Sequence, residues 1–215
     1  MSESSESPVP ALRASGFTLL EPEALSRLVG VPLETLTRWT PLWDDLPRDA
    51  YLKDGGTYRA RRHSCFVQDL ARDELEQVAH RAHWQSEDYN ALHGGMERWF
   101  EPLLPELSAA PAWRALLGKL GHVFAQVRPE APVAKWFIEA HQFRIDTQDG
   151  IGRPTPEGAH RDGVDFVVVI LVQRQNIRGG ETRVFDAHGP TGWRFEIHEP
   201  WSALLLDDAH VIHES

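Results

Sequence analysis

Short apolar segments separated by turn residues fill the chain from Val133 onward. The segment from Asp165 to Gln173 (DFVVVILVQ) is an unbroken, β-branched apolar run, which predicts a strand buried on both faces. Strand-like runs follow at Glu181 to Phe185, Trp193 to His198 and Ser202 to Asp207, with Gly, Pro and Asp between them. Many short strands separated by such turn-forming residues favour an antiparallel barrel or jelly roll.

The residues before this region are mixed and rich in helical signals. Trp113 to Val127 repeats its apolar residues at helical spacing, and Glu21 to Val29 places three apolar residues on one face. Ala71 to Trp84 has helix-forming composition, whereas Tyr58 to Val67 is extended in character. We therefore predict an α+β fold with a mainly β core, in which the N-terminal helices pack outside the barrel.

A chain of 215 residues is expected to form one domain, 1–215. Within it we expect a disordered, acidic lead-in over 1–15, a helix-rich outer part over about 16–130 and the β core over about 131–215. No segment approaches the roughly 20 apolar residues of a membrane span. The N-terminus also lacks the basic and apolar regions of a signal peptide, so we expect a cytoplasmic protein without a membrane partner.

Charge and cysteine usage narrow the function classes. The net charge of −10 repels phosphate backbones and argues against a nucleic-acid partner. The basic run Arg59 to Arg62 is interpreted as a solvated or locally paired strand edge. The single cysteine, Cys65, excludes a disulfide framework and fits a reducing compartment. Its neighbour His63 could activate the thiol, but alternation on a strand with Val67 favours ordinary packing.

One tripeptide carries a candidate metal site. His160-Arg161-Asp162 is the only H-x-[DE] in the chain, and it lies just before the long apolar strand. In extended chain, His160 and Asp162 project to the same side, and His213 lies 51 residues after Asp162 on a later strand-like run. Two imidazoles and one carboxylate are the ligands of non-haem Fe(II) oxygenases, which keep further positions for cosubstrate and O2. The tripeptide alone is a weak signal, because roughly one such match is expected by chance in a chain of this composition.

Other histidines compete for the third ligand position. His210 has the opposite strand parity to His213, so only one of them should face a shared pocket. If His213 faces inward, Val211 accompanies it, and His210 and Ile212 point away. His188 and His198 are weaker candidates that we interpret as surface or loop residues.

Several longer motifs resemble one family. They are PEGAHRDGVDF (156–166), RGGETR (178–183), LLLDDAHVIH (204–213), YRARR (58–62), LHGG (92–95) and HQFRI (141–145). From about residue 40 onward the chain resembles the Fe(II)/2-oxoglutarate-dependent dioxygenases, in particular the bacterial L-isoleucine 4-hydroxylase group of free amino-acid hydroxylases. The resemblance implies a double-stranded β-helix (a jelly-roll or cupin-like fold) and points to His213 rather than His210 as the distal metal histidine.

The resemblance also implies an activity. We expect an enzyme that uses Fe(II), 2-oxoglutarate and O2 to hydroxylate a small substrate, a free L-amino acid, with His141, Gln142 and Arg144 as candidate substrate contacts. A non-catalytic metal-binding or sensing barrel, derived from a truncated or decayed oxygenase, is the alternative. Oxidative nucleic-acid repair on the same fold is disfavoured by the acidic charge.

One departure concerns the cosubstrate. The family usually holds the far carboxylate of 2-oxoglutarate with an Arg or Lys beyond the distal histidine, whereas this sequence ends at Ser215. We therefore expect a β core that lacks its last strand. Arg183 is the first candidate for the cosubstrate anchor, and Arg144 is the second.

Overall fold

The computed structural model describes residues 7–53, 55–90, 94–147, 150, 152, 154–155 and 158–215. The helices are α1 (Val9–Ser15), α2 (Pro22–Val29), α3 (Leu33–Thr37), α4 (Pro105–Ser108) and α5 (Pro111–Val127), with a 3-10 turn at Thr40–Trp43. The strands are β1 (Phe17–Leu20), β2 (Arg59–Asp69), β3 (Glu74–Gln77), β4 (Lys135–Ile145), β5 (Phe166–Ile170), β6 (Glu181–Asp186), β7 (Gly192–Glu196), β8 (Ala203–Asp207) and β9 (Val211–Glu214). None of the helices in these ranges has the length and apolar character needed to cross a membrane.

The strongest helical predictions are confirmed. Helix α5 begins at Pro111, whose missing N–H is no loss in a first turn, and it buries the predicted apolar stripe. Helix α2 ends at Gly30, which adopts the left-handed conformation (φ 68°) that caps many helices. In both helices, the apolar residues that recur at helical spacing form the buried face.

The expected disordered lead-in is wrong for residues 9–15, which form α1. Leu12 is only 1% exposed, because α1 packs against α5. The guanidinium of Arg13 also donates a hydrogen bond to the carbonyl of Val127 (3.0 Å) at the end of α5. Val9 and Leu12 are the buried residues of this short helix, and their packing stabilises it. The polar composition of residues 1–15 does not predict such a helix. Residues 1–6 lie outside the described part of the chain.

The described strands form three antiparallel sheets of three strands each, with the orders β1-β8-β5, β3-β2-β4 and β7-β6-β9. The long pairing of β2 with β4 joins Arg59 to Ile145 at one end and Asp69 to Lys135 at the other. The helix expected over 71–84 is wrong, since Glu74–Gln77 pairs with β2 as an edge strand. The residues 16–130 are therefore less purely helical than predicted.

The sheet β1-β8-β5 separates two apolar cores. One face of β8, with Ala203 and Leu205, packs with the helices, whereas Leu204 and Leu206 pack with Val184 and Val211 of the sheet β7-β6-β9. Strand β5 was predicted to be buried on both faces, but Val169 is 37% exposed, so one face is only partly covered.

The sheet that contains β2 and β4 has one face toward the helices and one away from them. Phe66 and Ala140 pack with α5 in the first core. By strand alternation, His63, Glu139 and His141 lie on the other face. The helices therefore cover one face of β2 and β4, as predicted, and the three polar side chains lie on the face away from them.

Candidate metal centre

The three sequence-predicted ligands converge at the end of β9. The backbones of His160 and His213 bridge each other through two N–H···O hydrogen bonds of 3.0 Å. This pairing sets the two imidazoles side by side, with ring centroids 4.8 Å apart. Asp162 lies two residues after His160, and its carboxylate lies beside both imidazoles.

The donor atoms of the three side chains lie within 4.8 Å of one another. The Asp162 carboxylate is 3.3 Å from Nε2 of His213 and 3.6 Å from Nε2 of His160. His213 and His160 are almost fully buried, whereas about a quarter of the Asp162 side chain is exposed. Access to the group is therefore from the side of the carboxylate.

Hydrogen bonding fixes which nitrogen of His160 carries the proton. Its Nδ1 is 2.8 Å from the carbonyl oxygen of Gly158, and a carbonyl can only accept, so Nδ1–H donates. In the neutral ring, Nε2 then carries a lone pair that faces the Asp162 carboxylate. Two electron-rich atoms at this separation repel each other unless a proton or a metal ion lies between them.

The carboxylate of Asp162 is anionic. Burial alone would raise the pKa of Asp162, but the interactions with His160 and His213 outweigh burial and hold this pKa well below its usual range. One anionic oxygen ligand and two imidazoles suit a divalent transition metal, and Fe(II) is the ion of the two-histidine, one-carboxylate set. The residues present therefore fit the iron that the sequence implies.

A buried aspartate holds the loop that carries Asp162. The Asp208 carboxylate, with no exposed surface, accepts hydrogen bonds from the backbone N–H groups of Asp162 (3.0 Å), Gly163 (2.8 Å) and Val164 (3.2 Å). Gly163 adopts a φ of 75°, a conformation that favours glycine at this turn. Asp208 is the second Asp of the LLLDD run, and the pattern of that run does not by itself predict this role.

A second contact orients the Asp162 side chain itself. The amide of Gln85 donates to Oδ1 of Asp162 (3.2 Å). The other end of the Gln85 amide accepts from Arg98 (2.7 Å) and Asn90 (3.1 Å), both nearly fully buried, so its orientation is fixed. Sequence reasoning missed Gln85, and no motif marks it.

The competing histidines point elsewhere. His210 is exposed, and its Nδ1 lies 2.9 Å from Asp207 rather than near Asp162. In β9, Val211 and His213 are buried, and Ile212 is less so, as strand parity predicts. His188 and His198 are exposed, which matches their interpretation as surface residues.

The candidate substrate and cosubstrate residues are not brought together. His141 lies on the helix-free face of β4, but Gln142 is on the opposite face and donates to the carbonyl of Leu42 (3.4 Å). Arg144 shares that opposite face and pairs with Asp146 (3.5 Å). Arg183 is opposite Glu214 in the β6–β9 pair and binds its carboxylate, whereas its neighbour Val184 is opposite His213. Arg183 therefore faces away from the side of the sheet on which His213 lies.

The solved structures that resemble this chain include one of high sequence identity and two of low identity. A crystal structure of a bsmA homolog from Methylobium petroleophilum is 57% identical, covers 100% of this chain and 85% of its own, and superposes with a TM-score of 0.92. IDO from Bacillus thuringiensis is 18% identical and covers 98% of this chain and 89% of its own, with a TM-score of 0.77. An Fe(II)/alpha-ketoglutarate-dependent dioxygenase, TqaL, is 19% identical and covers 96% of this chain and 76% of its own, with a TM-score of 0.69. No curated protein matches the chain.

At 18% and 19% identity, the two distant matches support the fold alone. The sequence model of the 2OG-Fe dioxygenase family, in contrast, matches residues 40–215, which is most of the chain and includes all three converging side chains. The chain therefore belongs to the 2OG-Fe dioxygenase family and is an enzyme that uses Fe(II), 2-oxoglutarate and O2.

Proposed function

We propose that this dioxygenase hydroxylates a small substrate, a free L-amino acid, and that His160, Asp162 and His213 hold its iron. The observation that carries the metal assignment is the convergence of His160 and His213 on the anionic carboxylate of Asp162, with all three donor atoms within 4.8 Å of one another. When bound, the iron and 2-oxoglutarate supply the oxidising power that places one oxygen atom of O2 into a C–H bond.

The protein's own contribution is to position these ligands. Gly158 holds the His160 ring in one tautomer, and Asp208 holds the loop of Asp162 in one conformation. The amide of Gln85 fixes the rotation of the Asp162 carboxylate. Contacts of this kind around metal ligands set their orientation and basicity, and they commonly change metal affinity 10–100-fold.

We also propose that the sheets form a double-stranded β-helix. Support comes from the second apolar core, in which the sheet β7-β6-β9 packs across the sheet β1-β8-β5. In such an arrangement, His160 and His213 lie at the rim of the smaller sheet, and the helix-free face of β2 and β4 lines the interior.

The substrate class rests on the resemblance to amino-acid hydroxylases and on the charge of −10, which disfavours polyanions. Of the three expected substrate contacts, His141 alone lies on the helix-free face. The short segment from His83 to Gln85 contacts both this face and Asp162, so the two regions adjoin. Arg183 and Arg144 are not retained as the cosubstrate anchor, since each lies on the other face of its sheet.

The metal assignment is tested by a pair of histidine variants. His213→Ala should abolish metal-dependent conversion of 2-oxoglutarate to succinate, and His210→Ala should leave most of it. Both variants remove an imidazole from the same short segment, but His210 is exposed and lies beside Asp207, so His210→Ala controls for the loss of a histidine outside the three assigned ligands. If His210→Ala were the inactive variant, the assignment of His213 would be wrong.

The substrate class is tested with a panel of the common L-amino acids. One or more aliphatic or otherwise small members should stimulate succinate formation above the uncoupled rate, whereas peptides and a methylated oligonucleotide should not. Stimulation by the oligonucleotide alone would favour nucleic-acid repair. If no compound stimulates turnover, and 2-oxoglutarate with Fe(II) gives no charge-transfer absorbance under anaerobic conditions, the non-catalytic barrel is favoured.

A further inference from the structure

A second group of convergent side chains lies on the helix-free face of β2 and β4. His63 and His141 are opposite each other in the β2–β4 register, and Glu139 is the next residue on that face of β4. His83 reaches the same place from the chain after β3. The potential ligand atoms of these four residues all lie within 4.8 Å of one another.

Glu139 is at the centre of this group. Its carboxylate is 2.6 Å from Nδ1 of His83, 3.7 Å from Nε2 of His63 and 3.6 Å from Nε2 of His141. His63 is fully buried and His83 nearly so, whereas about a third of the Glu139 side chain is exposed. Burial would raise the pKa of Glu139, but the three imidazoles outweigh burial and hold that pKa far below its usual range, so the carboxylate is anionic.

The tautomer of His141 excludes it as a metal ligand. Nη2 of Arg61 lies 2.7 Å from Nδ1 of His141, and a guanidinium can only donate, so Nδ1 is the acceptor. In the neutral ring, the proton is then on Nε2 and faces Glu139. Burial, with the charge of Arg61 next, holds the pKa of His141 well below its ordinary value, so the ring is neutral. His141 therefore donates to the carboxylate and steadies it.

His63 and His83 can both offer a lone pair to the centre. Burial lowers the pKa of His83, which favours its neutral form. Its Nδ1 donates to the Glu139 carboxylate at 2.6 Å, and a bound cation would replace that proton. Among the described residues, Nδ1 of His63 is buried and has no hydrogen-bond partner, so no contact there fixes which ring nitrogen carries the proton. Burial also lowers the pKa of His63, but contacts with Cys65 and Glu139 outweigh it, and a bound cation would replace that extra proton.

We propose that His63, His83 and Glu139 bind a second divalent metal ion of the zinc class, with His141 holding the carboxylate in place. Two imidazoles and one carboxylate form a set that zinc uses in proteins. Zinc–ligand distances of about 2.0–2.1 Å place tetrahedral ligands ~3.3 Å apart. The separations of up to 4.8 Å within the group then close by at most about 1.5 Å, and the 2.6 Å contact between His83 and Glu139 opens slightly. The exposed part of Glu139 gives the ion an entry path. No residue of this site belongs to the group of His160, Asp162 and His213.

The test is metal stoichiometry of the full chain, since that readout does not depend on turnover. The metal-free protein is titrated with Co²⁺, whose visible absorbance reports its ligands, and bound Zn²⁺ is counted by elemental analysis after gel filtration. The unmodified chain should bind two ions. Asp162→Ala should bind one, Glu139→Gln should bind one and the double variant none. His80→Ala, a change at an exposed histidine outside both groups, should still bind two.

The outcomes separate the two sites. One ion that is lost in Asp162→Ala and kept in Glu139→Gln would overturn the second site and leave the iron site intact. One ion with the opposite pattern would support the second site and refute the assigned iron site. If Glu139→Gln fails to fold, His83→Gln replaces it, and the Co²⁺ titration of the unmodified chain still counts the sites. A single Co²⁺ equivalent, with a spectrum unaffected by His83→Gln, would refute the proposal.

Discussion

Asp208→Asn is the most direct test of how the structure supports the proposed metal centre. The buried carboxylate accepts three backbone hydrogen bonds from the loop that carries Asp162. An asparagine of the same shape can keep the two bonds to Gly163 and Val164 through its one carbonyl oxygen. Its amide then faces the N–H of Asp162, so that one hydrogen bond is lost and two N–H donors point at each other.

The expected cost follows from that geometry. A hydrogen bond to a charged acceptor contributes about 1.5–3 kcal/mol, and the remaining two bonds lose the charge of their acceptor. We expect the free energy of unfolding to fall by about 2–3 kcal/mol, which lowers the melting midpoint of a chain of this size by about 4–12 °C. Because Asp162 is carried by the loosened loop, Fe(II) affinity should fall by about 10–100-fold.

The neighbouring Asp207→Asn is the matched control. Asp207 is just as buried, but it pairs with Arg128 and His210 instead of the Asp162 loop. Urea unfolding should show both variants destabilised, whereas an anaerobic Fe(II) and 2-oxoglutarate titration should show weakened binding only for Asp208→Asn. Equal Fe(II) affinity in Asp208→Asn and the unmodified chain would refute the reasoning.

Two further substitutions test separate features. Gln85→Leu removes the amide that orients Asp162 and should weaken Fe(II) about 10–100-fold in the same titration, whereas Gln77→Leu, on an edge strand, should not. Equal weakening by both would contradict a positioning role for Gln85. Leu12→Ala should reduce the free energy of unfolding by about 2–5 kcal/mol in urea, since this side chain is buried against α5. An unchanged midpoint would mean that residues 9–15 do not form a docked helix.

Local patterns predicted the elements that are stabilised by contacts close in sequence. The apolar stripe of α5 and the Gly30 cap of α2 each depend on residues within one segment, so the local sequence predicts them. Strand parity likewise placed His213 and His210 on opposite faces, because alternation is a property of any extended chain, and the resemblance to the family favoured His213. The family motifs around His160 and His213 added the class of chemistry.

Contacts between distant segments decided the rest. Helix α1 forms because α5 covers Val9 and Leu12, and Glu74–Gln77 is a strand because β2 offers an edge to pair with. Local propensity differs by only tenths of a kcal/mol per residue, so such packing overrides it.

The same holds for the sites. The sequence by itself determined the three metal-ligand candidates, but only tertiary structure placed Asp208 and Gln85 around Asp162. The tertiary structure also shows that His141 and Gln142 lie on opposite faces of their sheet. It brings the side chains of His63, His83 and Glu139 close together. Hydrogen bonds and metal ligands act over about 3 Å in space, and residues far apart in sequence reach that distance only when the chain has folded.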